Sequence, residues 1–145
     1  MAIVLIVTFH GGNVVKSPVQ LAVTIARDPH VVLVVDDDHD LRESLRAILE
    51  DEGFATLGAS NGREAMELLQ CEGQPRPCVI LLDLMMPVMT GLELSDRLHA
   101  DRTLGSIPVV FMTAFRTLVN KVEMRRVLFK PLKIDGVLAA VRQSS

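Results

Sequence analysis

Asp36-Asp37, Asp83, Thr113 and Lys130 each stand at the end of a short apolar run, and all are residues able to handle a charged oxygen. An acid pair, a third acid, a hydroxyl and an ammonium therefore follow one another along the chain. Three carboxylates brought close together repel one another and need a cation to stay ionised. Their oxygens are hard ligands, which favours magnesium or manganese over softer metals. Magnesium keeps several waters and takes few carboxylates, leaving coordination for a phosphoryl oxygen. A carboxylate can attack phosphorus and give an acyl phosphate. Thr113 can donate a hydrogen bond to one transferred oxygen while Lys130 neutralises another. The set suits phosphoryl transfer, in which catalysis is mainly positioning and charge stabilisation.

The elements that must position these groups alternate regularly from Val31 onward. Val31–Val35 reads as a buried strand ending in Asp36-Asp37-Asp38. Leu41, Leu45, Ile48 and Leu49 recur at helical spacing, with Asp40 expected to cap the helix and Gly53 to end it. Phe54–Leu57 is a short strand, and Asn61-Gly62 turns the chain into a helix carrying Ala65, Met66, Leu68 and Leu69, broken by Pro75 and Pro77. Val79–Leu82 is the next strand and ends at Asp83; a loop with Pro87 and Gly91 leads to a helix bearing Leu92, Leu94 and Leu98. Ile107–Met112 is a strand ending at Thr113, followed by a helical segment near Leu118–Arg126 and a strand at Val127–Phe129 that ends in Lys130-Pro131. The last helix carries Ile134, Val137, Leu138 and Val141. Strands alternating with helices imply right-handed crossovers and a parallel sheet covered on both faces. Ligands bind such a sheet at the carboxyl ends of its strands, which is where all the polar groups fall.

Composition narrows the function classes. The 145 residues are 49% hydrophobic and 23% charged, with net charge −3 and mean hydropathy +0.34, a globular and core-rich balance. No basic stripe is present, and without Trp or Tyr there is little to stack on bases, so direct nucleic-acid binding is not expected. Cys71 and Cys78 match no zinc or redox spacing and read as free thiols in a reducing compartment. No apolar run approaches the ~20 residues that span a bilayer, and no basic residue precedes Ile3–Phe9 as a secretory signal would require, so a cytoplasmic protein is expected. Residues 1–30 read as an N-terminal extension. Ile3–Phe9 and Leu21–Ile25 are short apolar runs that would form an extra strand, mediate oligomerisation or stay flexible.

The same residues carry a family resemblance. Val-Leu-Val-Val-Asp-Asp-Asp at 32–38, Leu-Leu-Asp-Leu-Met-Met-Pro at 81–87 with Gly91, Val-Val-Phe-Met-Thr-Ala at 109–114 and Lys-Pro at 130–131 resemble the receiver domains of two-component response regulators. The resemblance covers about residues 31–143. It implies a flavodoxin-like α/β fold over residues 31–145, a doubly wound sheet of five parallel strands in the order 2-1-3-4-5. It also implies Asp83 as phosphoacceptor and a Mg2+ ion bound by Asp37, by Asp36 directly or through water, by Asp83 and by the Met85 carbonyl. Thr113 and Lys130 would contact the phosphoryl group, and Lys130-Pro131 would be a cis peptide. The implied phosphodonor is a sensor histidine kinase or a histidine phosphotransfer protein, and the implied output is a downstream protein that the sequence does not name. By the same resemblance, the domain catalyses its own phosphorylation and dephosphorylation.

Two departures from the family pattern bear on output. The position three residues before the lysine, aromatic in relatives, is Val127, and Phe129 points the same way one residue pair along. The stretch from Thr113 to Lys130 is about five residues shorter than the pattern, so the fourth helix should be shortened or rearranged. Asp38 reads as a solvated loop residue, and His10 and His39 as surface histidines. The apolar Met85 and Phe115 cannot orient a water, so slow autodephosphorylation is expected; decay of the phosphorylated protein within seconds in magnesium buffer would contradict this. The leading expectation is a receiver standing without an output domain. A receiver-like adaptor that works without phosphorylation is the alternative. A magnesium phosphohydrolase ranks last, because its second Asp would fall where Met85 stands.

Overall fold

A computed structural model describes residues 30–117 and 126–145. The apolar runs expected at Ile3–Phe9 and Leu21–Ile25, and the helix expected near Leu118–Arg126 apart from its last residue, lie outside these residues. The described chain runs β1 (Val31–Val35), α1 (His39–Asp51), β2 (Ala55–Ala59), α2 (Gly62–Gln70), β3 (Val79–Asp83), α3 (Gly91–Ala100), β4 (Val109–Thr113), β5 (Val127–Phe129) and α4 (Ile134–Ser144). The strands form one parallel sheet in the order β2-β1-β3-β4-β5, as the resemblance implied.

Alternation along each strand divides the core in two. Leu33, Val35, Ile80, Leu82 and Phe111 face α2 and α3, where Ala65, Leu94 and Leu98 meet them. Val32, Val34, Val79, Leu81, Val110 and Met112 face α1 and α4, against Leu45, Leu49, Val137 and Val141. Both faces are covered, so β1 and β3 are buried at every position and read as unbroken Val, Ile and Leu runs. The charged strand ends are thereby fixed to the most rigid part of the molecule.

The helix starts place the loops of the sheet edge. Asp38, not Asp40, caps α1: its carboxylate accepts the Leu41 N–H at 3.1 Å, the three-residue reach of an N-cap, and Asp40 lies inside the first turn. Gly53 follows α1 at φ +91°, the left-handed conformation that ends a helix readily only at glycine. Asn61 caps α2 by accepting the Glu64 N–H at 2.9 Å, and the Glu64 carboxylate returns to the Ser60 N–H at 3.0 Å. That helix stops at Gln70, ahead of the prolines expected to break it: the backbone turns extended at Cys71, and Gly73 follows at φ +83°. Thr90 caps α3 at 3.2 Å from the Glu93 N–H. Strand β2 lies one residue later at its start and two at its end than the apolar run suggested, and β4 starts two residues later than Ile107. Hydrogen-bond register with β1 and β3, not hydrophobicity alone, sets those boundaries.

Candidate functional site

All the polar strand ends singled out in the sequence meet at one edge of the sheet. Asp36 continues the β1–β2 ladder by one bond, its N–H donating to the Ala59 carbonyl at 3.1 Å. Asp83 closes β3, Thr113 closes β4, and Lys130 follows β5 directly. Asp36, Asp83 and Thr113 are buried, whereas Asp37 is exposed. Carboxylate oxygens of Asp36, Asp37 and Asp83 all lie within 4.8 Å of one another. The Lys130 ammonium reaches between two of the acids, 2.8 Å from Asp36 Oδ2 and 3.2 Å from Asp83 Oδ2.

The remaining polar atoms are held by the backbone. Asp83 Oδ1 accepts the Met85 N–H at 3.2 Å, and Asp36 Oδ1 accepts the Asp38 N–H at 2.9 Å. Thr113 Oγ1 accepts the Phe115 N–H at 3.0 Å, and the Lys130 N–H donates to the Thr113 carbonyl at 2.8 Å. One glycine is required here. A Cβ on Gly91 would lie 2.2 Å from the Asp83 carbonyl oxygen, so the first turn of α3 rests directly on the acid's backbone. The peptide bond between Lys130 and Pro131 is cis, as expected.

Burial and the neighbouring Asp36 charge push the Asp83 carboxyl up to about 6, against the pull of the Met85 N–H and Lys130. Burial alone would lower the Lys130 ammonium, but Asp36 and Asp83 together outweigh it and hold that group above its ordinary value. Two acids thus share one lysine, and one of them is left electrostatically unsatisfied. A hard divalent cation suits this donor set: the close carboxylate oxygens of Asp36, Asp37 and Asp83 supply the ligands, and the open side at Asp37 supplies access. The Met85 carbonyl belongs to the same loop, since its own N–H already binds Asp83.

Around the acids the surface turns apolar. Met85 and Phe115 are about half exposed on either side, as is Ile134 at the start of α4, and Val88, which adopts φ 71°, is more exposed still. Val127 packs with the α2/α3 side of the core, and Leu128 with the other side. The Phe129 ring lies under Arg116, whose guanidinium is 4.2 Å from the ring centroid. Asp38 is exposed and engaged as a helix cap, and His39 is exposed. Cys71 and Cys78 are unpaired thiols, and burial raises the Cys78 pKa.

One contact at the site was not read from sequence. Arg42 Nη1 donates to the Asp36 carbonyl at 2.7 Å. In sequence Arg42 sits on the polar stripe of α1, where an arginine ordinarily points to water. The available signal was its distance from Asp36, six residues, which places it one turn into the helix above the acid pair.

Comparison with known proteins agrees with this geometry. The family model of the response regulator receiver domain matches residues 32–142. The response regulator MprA of Mycolicibacterium vanbaalenii is 35% identical over 119 residues, covering 79% of this chain and 49% of its own length. A protein-glutamate methylesterase/protein-glutamine glutaminase of Hahella chejuensis is 43% identical over 98 residues, 67% of this chain and 26% of that protein. The chain therefore spans about half the length, or less, of these curated relatives. Among solved structures, the receiver domain of a signal transduction histidine kinase from Syntrophus aciditrophicus superposes with TM-score 0.71 at 32% identity, covering 79% of this chain and 88% of that one. The chemotaxis response regulator CheY4 of Vibrio cholerae superposes with TM-score 0.70 at 27% identity, covering 81% and 99%. With its sheet order, its acid cluster and the placement of its lysine all accounted for, the chain belongs to the response regulator receiver domains of two-component systems.

Proposed function

We propose that this receiver takes a phosphoryl group onto Asp83 from a phosphohistidine, in the cytoplasm, and passes the change to a protein partner. The observation that carries the reading is the cluster itself: three carboxylates within 4.8 Å, two of them buried and reached by Lys130. At neutral pH the Asp83 carboxyl, with its pKa near 6, is mostly ionised and able to attack. A carboxylate oxygen of Asp83 forms the new bond to phosphorus as the bond from phosphorus to the donor nitrogen breaks, and the imidazole leaves. Lys130 can follow the transferred oxygens without leaving the site, because it is already between Asp36 and Asp83. Thr113 would donate its hydroxyl proton to a phosphoryl oxygen, a bond its acceptor contact with the Phe115 N–H does not use up. When bound, Mg2+ would be held by Asp36, Asp37, Asp83 and the Met85 carbonyl, and would offset the charge that gathers there.

A protein donor fits the surroundings. A largely apolar groove of about 280 Å³ beside Lys130-Pro131 is lined by Leu41, Leu45, Ile48, Leu132, Ile134 and Val137. No helix of the described residues is long and apolar enough to cross a membrane. Val127 in place of an aromatic residue favours the second reading, an adaptor that works without phosphorylation. A phosphohydrolase is disfavoured, since Met85 offers no second carboxylate.

Intact-mass analysis after incubation with magnesium and acetyl phosphate tests the proposal. A single phosphoryl adduct is expected, absent in Asp83→Asn; no adduct in a chain shown to bind magnesium would select the adaptor instead. The same sample gives the lifetime. With Met85 and Phe115 flanking Asp83 and no polar side chain of theirs to aim a water, decay over minutes to hours, not seconds, is expected.

A further inference from the structure

Asp36 is bonded through every one of its polar groups. Its N–H reaches the Ala59 carbonyl, its Oδ1 accepts the Asp38 N–H and its Oδ2 accepts Lys130, all of which belong to the strand, the turn or the acid cluster. The fourth bond comes from outside that set: Arg42 Nη1 donates to the Asp36 carbonyl at 2.7 Å. This carbonyl lies in the peptide plane that joins Asp36 to Asp37. Holding its oxygen fixes ψ of the first acid and constrains φ of the second. Asp37 is exposed, so its aim toward the other two carboxylates depends on that plane.

The arginine is itself placed with care. Its other guanidinium nitrogen, Nη2, is 3.1 Å from His39 Nδ1, and its side chain is only 14% exposed. Its stem crosses β2 at Gly58, where an added Cβ would stand 3.5 Å from Arg42 Cδ and 3.2 Å from Arg46 Cδ. The ordinary reading of a helix-surface arginine is an ion pair with its neighbour. Here that pair is the weaker contact, Nε to Glu43 at 3.9 Å, and the carbonyl bond is the short one.

We propose that Arg42 is a positioning residue for the divalent cation: it sets the Asp36–Asp37 peptide so that the Asp37 carboxylate converges on those of Asp36 and Asp83, raising cation affinity without touching the ion. This rests on the reading of the acid cluster as a cation site.

Mn2+ binding to the full chain, followed by the electron paramagnetic resonance of the free ion, tests it. The wild-type chain should bind one Mn2+, and Asp37→Ala should weaken that binding. Arg42→Met keeps an apolar stem over Gly58 and removes the donors; an affinity loss of about tenfold is expected. Arg42→Lys, with one donor on a shorter stem, should fall between. In an Asp37→Ala background, Arg42→Met should change affinity by less than about twofold, because the carboxylate that the peptide plane aims is gone. The inference is overturned if Arg42→Met binds Mn2+ as the wild type does, or if it weakens binding equally with and without Asp37. A wild-type chain that binds no Mn2+ would remove the cation reading itself, and this inference with it.

Discussion

Replacing the phosphoacceptor candidate with its neutral isostere, Asp83→Asn, is expected to stabilise the protein at pH 7.5 in the absence of divalent cations. The folded chain holds the Asp83 carboxyl at about 6, above the value of 3.8 for a free side chain. Between those two values the folded state binds a proton that the unfolded state has released, so stability falls as pH rises through the window. Below it both states are protonated and nothing is lost; above it the whole penalty is present. The shift corresponds to a ceiling of about 3 kcal/mol, and a measured gain of about 1–2 kcal/mol is expected because Asn leaves Lys130 with one acid fewer. Urea unfolding in chelator at pH 7.5 and at pH 4 provides the check: a clear gain at the higher pH that nearly vanishes at the lower. Magnesium should shrink the difference by stabilising the wild type preferentially. A destabilised Asp83→Asn at pH 7.5 would mean that Lys130 more than offsets the burial of this charge.

Gly91→Ala should act in the opposite direction. In a helix, alanine ordinarily improves on glycine by about 1 kcal/mol. Here the new methyl would stand 2.2 Å from the Asp83 carbonyl oxygen and 2.9 Å from Leu84 Cα, and both of those neighbours are backbone. Neither can swing aside as a flexible side chain would. Either α3 lifts away from the sheet edge, breaking the Gly91 N–H bond to the Leu84 carbonyl at 3.1 Å, or the end of β3 shifts and moves the Asp83 carboxylate. A loss of about 3 kcal/mol in urea unfolding is expected, at the upper end of what overpacking a core produces. Phosphoacceptance should fall along with it, even under conditions where the variant remains folded. An unchanged midpoint would show that the helix start is free to move.

How far the sequence could be read divides along physical lines. Strands β1 and β3 were legible because burial on both faces demands unbroken apolar runs, and the acids at their ends were legible because the runs stop there. The order of strands came from the family resemblance, not from periodicity, which cannot say which strand lies beside which. The cap of α1 was misassigned: Asp38 and Asp40 are chemically identical candidates, and only the actual start of the helix at His39 separates them. The residues carried by α2 were legible, but its stop was not: Pro75 and Pro77 are the louder signal, whereas the backbone already turns extended at Cys71. Gly91 was recognisable as part of a motif, but its reason, a backbone in the place of its missing methyl, exists only in three dimensions. Arg42 was invisible for a related cause. Its long stem carries the charge back past the start of its own helix to the Asp36 carbonyl, and the six-residue spacing alone does not tell that bond from an arginine pointing to water.

The acids and their counter-charge belong to parts of the sheet with different security. Asp36 and Asp83 extend from β1 and β3, which are paired on both sides and buried throughout. Lys130 extends from β5, a three-residue, half-buried strand that among the described residues lies at the sheet edge and pairs only with β4. Amide hydrogen exchange should therefore divide the site in time: the strands bearing the carboxylates open only with global unfolding, and the strand bearing the lysine opens through local fraying. Each such excursion withdraws the ammonium and leaves the buried acids facing one another. The partial charge compensation that Lys130 gives the acids is thus a dynamic property, renewed each time β5 closes.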